Sequence, residues 1–223
     1  MPLSNASSMP PYRRPHADRA GMHLLYRLVL ATLALPLVAH AANLTLQITD
    51  ATAQPAVDVV AYAEPASGQV LPKPAHGTMQ IEQKARRFAP IVTVIQTGTA
   101  ISFPNHDSVR HQVYSFSPAK VFELKLYSGA GGEPVIFDKP GTVIVGCNIH
   151  DQMAAYIQIV DTPWFGKSDA TGKLVLDNLI PGKYRLKIWH PNLPAGTAAS
   201  DQLVTIGSSD QTIALAVPFK TQR

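Results

Sequence analysis

Apolar and polar residues alternate along most of the chain from Ala42 onward, the period-two signature of half-buried strands. Leu44, Leu46 and Ile48 alternate with Thr45, Gln47 and Thr49, and Val57 to Tyr62 follows after a turn at Asp50 to Pro55. Ala63 to Gly77, with Pro65, Gly68, Pro72 and Pro74, reads as a loop or linker. Short β-branched runs then recur at Met79 to Gln83, Ile91 to Gln96, Ala100 to Phe103, Gln112 to Ser115, Val121 to Tyr127, Pro134 to Phe137, Val143 to Val145 and Tyr156 to Val160. Beyond Asp161 the pattern continues through Leu174 to Leu176, Lys183 to Ile188, Val204 to Ile206 and Ile213 to Val217. Tyr184, Leu186 and Ile188 are expected to face inward, and Lys183, Arg185 and Lys187 to form a solvated strand face. No helix-period segment of convincing length occurs after residue 41. The fold class expected is all-β, with a sandwich over 78–161 and Greek-key connections.

The one long apolar run lies before these strands. Arg27 precedes Leu28 to Val38, and Ala39-His40-Ala41 has the form of an A-x-A cleavage site, so residues 1–41 read as an export leader, 1–21 being an extended n-region or Met22 the initiator. Arg13-Arg14 lies too far from the apolar core for a good twin-arginine signal. The core is too short for a comfortable membrane span. This leader alters the charge argument. Of 19 Lys and Arg it holds Arg13, Arg14, Arg19 and Arg27, and of 15 Asp and Glu it holds Asp18, leaving 15 against 14 in the remainder. A net charge of +1 removes the main support for nucleic-acid binding. The expected location is periplasmic or secreted, with no stable membrane span in the mature chain.

Cys147 is the only cysteine, so it forms no internal disulfide. It opens a C-x-x-H-x-x-M loop, Cys147 to Met153, between two predicted strands. On a helix its three donors would spread along about 9 Å of axis, whereas a loop can fold them onto one centre. Thiolate, imidazole and thioether form a soft set suited to copper, and one more histidine would complete the two-histidine, one-cysteine site with a weak axial methionine used in single-electron transfer. That histidine must come from upstream, as His106 or His111. His111 is favoured because it begins a strand, a better-fixed position than the polar turn holding His106. Zinc is disfavoured because a thioether is a poor ligand for it. Catalysis by a Cys/His pair is disfavoured too, since Cys147 and His150 lie three positions apart on one turn and nothing nearby resembles an oxyanion hole. The sequence has no His-x-His pair of the kind used to build a multicopper cluster. A non-enzyme is expected.

Phe88-Ala89-Pro90, Gly98, Phe103-Pro104-Asn105-His106-Asp107, His111-Gln112-Val113 and Gly141 to Met153 resemble the cupredoxin pattern of plastocyanin, pseudoazurin and amicyanin, with a ligand loop spaced as in amicyanin. The mature chain as a whole, including Trp189-His190-Pro191, resembles plastocyanin-like proteins labelled methylamine utilization proteins. The resemblance implies a Greek-key sandwich over 76–161, with one type 1 copper ion held by His111, Cys147 and His150 and, axially, by Met153. It also implies a redox protein partner, a cytochrome or a dehydrogenase. Two positions depart from the pattern: Gln112 stands where Asn is common, and Asp151-Gln152 replace proline and apolar types. Asp169-Ala170-Thr171-Gly172 and Leu179 to Tyr184 resemble a carboxypeptidase-regulatory or transthyretin-like sandwich. Its first strands resemble Leu44 to Ala63, so 42–75 and 162–223 are expected to form one discontinuous, smaller β-sandwich with the first sandwich inserted. His190 is expected to be structural or exposed. The function expected is an exported blue copper electron carrier. The alternatives are a copper-binding or trafficking protein and a non-enzymatic β-sandwich binding module.

Overall fold

The computed structural model describes residues 11, 41–66, 71–72, 74, 77–193 and 201–220. The expected leader, apart from Pro11 and Ala41, lies outside the described residues, as does part of the 63–77 linker. The described residues contain strands and turns and no helix, so the protein is all-β. The strands are β1 (Ala42–Thr49), β2 (Val60–Pro65), β3 (Thr78–Gln80), β4 (Glu82–Lys84), β5 (Arg87–Ala89), β6 (Val92–Gln96), β7 (Thr99–Ser102), β8 (His111–Ser117) and β9 (Lys120–Tyr127). After them come β10 (Val135–Phe137), β11 (Gly141–Gly146), β12 (Ala154–Val160), β13 (Phe165–Lys167), β14 (Lys173–Leu179), β15 (Gly182–Trp189), β16 (Gln202–Ile206) and β17 (Gln211–Ala216).

Two cores organise these strands. Sheet β6-β12-β11-β8-β9 and sheet β10-β7-β3 share a core of Ile81, Phe88, Ile95, Ile101, Phe103, Val113, Phe137, Val143, Val145, Ile157 and their neighbours. The crossovers are non-local: β6 lies parallel to β12, and β8 is antiparallel to β11. The other core, built on Leu44, Leu46, Ile48, Leu174, Leu176, Tyr184, Leu186 and Ile188, lies between sheets β14-β1-β17 and β13-β2-β15-β16. There β1 pairs antiparallel with β14 and parallel with β17, while β2 pairs with β13 and β15. Each of these sheets thus joins a strand from the start of the described chain to strands from its end.

Alternation predicts burial well. Leu44, Leu46 and Ile48 are buried, as are Tyr184, Leu186 and Ile188. The cationic face of β15 is not merely solvated: Arg185 pairs with Asp201 at 3.1 Å and Lys187 with Glu64 at 2.7 Å. Three boundaries also differ from expectation. Met79 to Gln83 is split between β3 and β4, which belong to different sheets. The second strand begins at Val60, because Asp58 adopts a left-handed φ of 61°, and it runs on to Pro65 inside the expected loop. The three-residue strands β5 and β13 were not anticipated, being too short to show a period.

The two cores are tied where β12 leads into β13. Lys167 Nζ donates to the carbonyl of Val92 at 2.9 Å and meets Asp58 at 2.7 Å. Thr162 donates its hydroxyl to the Ala63 carbonyl at 2.6 Å.

Candidate metal centre

The candidate donors are placed by strand alternation. In β11, Val143 and Val145 face the core, and Cys147 continues that period one step beyond the strand, 4% exposed. Met153 likewise precedes Ala155, Ile157 and Ile159 on the inward face of β12 and is buried. His111 begins the inward series His111, Val113, Ser115 of β8 and is 0% exposed. Between Cys147 and Met153 the chain turns tightly: the Met153 N–H donates to the His150 carbonyl at 2.9 Å, and the Ala154 N–H to the Gln152 carbonyl at 3.1 Å. That turn holds His150 at the loop apex, half-buried, beside the His111 ring with centroids 5.0 Å apart.

His111, Cys147 and His150 come together so that one donor atom from each lies within 4.8 Å of the others. Cys147 Sγ is 3.9 Å from His111 Nδ1. Donors about 2.0–2.3 Å from a shared ion, as in known thiolate and imidazole sites, would sit roughly 3.5–4 Å apart in a trigonal set. The cluster therefore needs little contraction. His150 Nδ1 is buried with no hydrogen-bond partner, an uncompensated polar atom that ordinarily costs about 1–3 kcal/mol and that a metal would satisfy. Among the described residues this is the single group of three such donors. His106 is exposed and outside it. His190 lies in the other core, stacked on Phe219 with centroids 4.5 Å apart.

The far side of His111 is held by a residue with no role assigned from sequence. Its Nε2 lies 2.8 Å from Asp107 Oδ2, and an ionised carboxylate can only accept, so that nitrogen carries a proton and, in the neutral ring, Nδ1 is the lone pair. The Asp107 carboxylate also accepts the N–H of Ala85 at 2.6 Å and of Arg86 at 2.9 Å. Partial burial works against its ionisation, but the Arg86 N–H, the His111 ring and the Ala85 N–H together hold the carboxyl below the usual carboxylate range.

Asn105 builds the loop around it. Its Oδ1 accepts the Asp107 N–H at 2.9 Å, and its Nδ2 donates to the carbonyls of Val109 and Tyr127, each at 2.9 Å. Gln83 Nε2 donates to the Tyr127 hydroxyl at 2.6 Å, and that hydroxyl donates in turn to the Phe103 carbonyl. Burial, opposed by the Gln83 hydrogen bond and aided by the Cys147 charge, pushes the Tyr127 phenol up to about 12. Asn-x-Asp is a common loop-building pair, and that signal could have identified both residues. Gln112, where the cupredoxin pattern commonly has Asn, donates to Glu123 at 2.6 Å and leaves its own Oε1 buried without a partner.

No family model and no curated protein matches the chain. Solved structures resemble parts of it. A purple cupredoxin from Nitrosopumilus maritimus is 22% identical over 36% of this chain and 98% of its own, with a TM-score of 0.30. A copper-containing nitrite reductase from Thermus scotoductus SA-01 is 21% identical over 51% of this chain and 28% of its own, with a TM-score of 0.35. A tryptophan-to-tyrosine mutant of amicyanin in its reduced form is 14% identical over 45% of this chain and 98% of its own, also with a TM-score of 0.35. At these values the geometry of the donor cluster, not the overlaps, carries the functional reading.

Proposed function

We propose that this chain is an exported type 1 copper protein that passes single electrons between redox partners and is not itself an enzyme. The observation that carries the reading is the convergence of one donor atom each from His111, Cys147 and His150 within 4.8 Å of one another, with His111 Nδ1 3.9 Å from Cys147 Sγ and the Nδ1 of His150 buried and unpartnered. His111, Cys147 and His150 would hold the ion, with the Met153 thioether as a fourth, weaker donor, a set whose softness favours copper. Copper bound there supplies a one-electron couple.

The chain's own residues do the rest. Cys147 and Met153 belong to one apolar core, which keeps water from the thiolate. His111 is fixed on β8, and Cys147 and Met153 are each held one step from a strand end, which favours donors that keep their places. His150, half-buried at the loop apex, offers the route by which an electron reaches the surface. The partner in this reading is a cytochrome or a dehydrogenase, and the location is periplasmic or secreted, in keeping with the leader-like residues 1–41. The domain division proposed is 76–161 for the copper sandwich, with 42–75 and 162–223 forming a carboxypeptidase-regulatory-like sandwich. The pairing of β1 and β2 with β13, β14, β15 and β17 supports it.

The test is addition of Cu(II) to the purified mature protein. An intense thiolate-to-copper absorption in the visible, lost in Cys147→Ser, is expected. A colourless protein with a titratable free thiol overturns the reading.

A further inference from the structure

The ring nitrogen of a buried histidine could be satisfied by any acceptor, and a backbone carbonyl would serve. Here it meets a carboxylate, and that carboxylate is itself clamped. Asp107 Oδ2 lies 2.8 Å from His111 Nε2 and 2.9 Å from the Arg86 N–H, while Oδ1 takes the Ala85 N–H at 2.6 Å. The two backbone donors come from the turn between β4 and β5. Ala85 at φ 53° and Arg86 at φ 55° are both left-handed, a conformation that disfavours residues with a side chain. A two-residue turn with both central residues left-handed is usually built from Asn and Gly. This one accepts strain at both positions and aims two successive N–H groups at a single carboxylate. The base of the same hairpin is fixed to the same loop: Gln83 accepts the His106 N–H at 2.8 Å and donates its own N–H to the Pro104 carbonyl at 2.8 Å.

We propose that Asp107, clamped by the Ala85–Arg86 turn, is the positioning residue of the metal centre, fixing the His111 tautomer and lowering the reduction potential of the bound ion. This inference rests on the copper reading above. Accepting the Nε2 proton leaves Nδ1 as the only lone pair on the ring, and Nδ1 is the atom 3.9 Å from Cys147 Sγ. A full negative charge on the other side of that ring also stabilises the more highly charged, oxidised ion over the reduced one. A carbonyl would do the first and little of the second.

The experiment compares the full chain with Asp107→Asn and Asp107→Ala, measuring the ¹⁵N shifts of His111 in the metal-free protein and the reduction potential of the copper-loaded protein. In the metal-free wild type, His111 is expected in the Nε2–H form, and in Asp107→Ala it becomes a tautomer mixture. Loss of the carboxylate charge should weaken Cu(II) binding relative to Cu(I) about tenfold, within the range for such partners, which for a one-electron couple raises the potential by about 59 mV. Folded variants with unchanged potential and unchanged tautomer overturn the proposal. So does a wild-type His111 in the Nδ1–H form, a result that needs no variant to fold. If the wild type binds no copper, the copper reading fails and the tuning of potential with it, while the tautomer measurement still decides whether Asp107 orients His111.

Discussion

His190 shows how one side chain's surroundings set a pH dependence. Burial lowers its pKa, partly opposed by the nearby charge of Asp58, and its Nδ1 accepts the Asn192 N–H at 3.1 Å, which only the unprotonated nitrogen can do. Folding therefore favours the neutral ring. In the unfolded chain the group takes up its proton near its ordinary value of about 6.5, and the folded protein does so only at lower pH. The contribution to stability is present in full above that ordinary value and is lost as pH falls through the folded one. Thermal unfolding followed from pH 8 to 5 should show a decline that is reduced in His190→Asn, whose side-chain oxygen keeps the acceptor but cannot titrate there. Equal slopes for the two proteins would refute the assignment. Gly172 is constrained differently. It closes the Asp169–Gly172 turn at φ 74°, and a Cβ there would run into the carbonyl oxygen of Ile48 on β1. Gly172→Ala should cost roughly 2–4 kcal/mol, measured by urea unfolding.

The β4–β5 hairpin shows where an element departs from its local preferences. Its turn places Ala85 and Arg86 in left-handed backbone, at a cost on the order of 1–2 kcal/mol per residue. The double substitution Ala85→Asn, Arg86→Gly supplies residues that tolerate this geometry while keeping both N–H donors to Asp107. It should raise stability by roughly 1 kcal/mol with the His111 tautomer unchanged. A lower unfolding midpoint would show that the turn is not held in this form. Sequence reading failed at the same element: three-residue strands carry too little alternation to be seen, and Met79 to Gln83 reads as one run although Ile81 stands between strands of different sheets. The longer strands were legible because burial on one face imposes period two. Cys147 and Met153 were legible from the C-x-x-H-x-x-M spacing between two predicted strands, and the structure sets each of them on the inward series of its strand.

Two separate cores give the molecule a mechanical division that can be tested. Leu46 is fully buried in the core shared by β1, β14 and β15 and contributes nothing to the core beneath His111 and Cys147. Leu46→Ala should cost about 2–5 kcal/mol, read as a lowered denaturation midpoint, while at temperatures where the protein remains folded the His111 and His150 ring resonances keep their positions. Resonances that shift with this substitution would mean that the cores are coupled through Lys167 and its partners Val92 and Asp58. The strand pattern, the outline of an all-β chain and the three donors of the Cys147–Met153 loop are all written in local order, because alternation and spacing are properties of neighbouring residues. The seating of β1 between β14 and β17, the meeting of His111 with the Cys147–His150 loop and the clamping of Asp107 by the Ala85 and Arg86 N–H groups depended on contacts between residues far apart in the chain. Those contacts exist only once the sheets have formed, and no short window of sequence can distinguish a carboxylate held by the backbone of a distant turn from one that meets water.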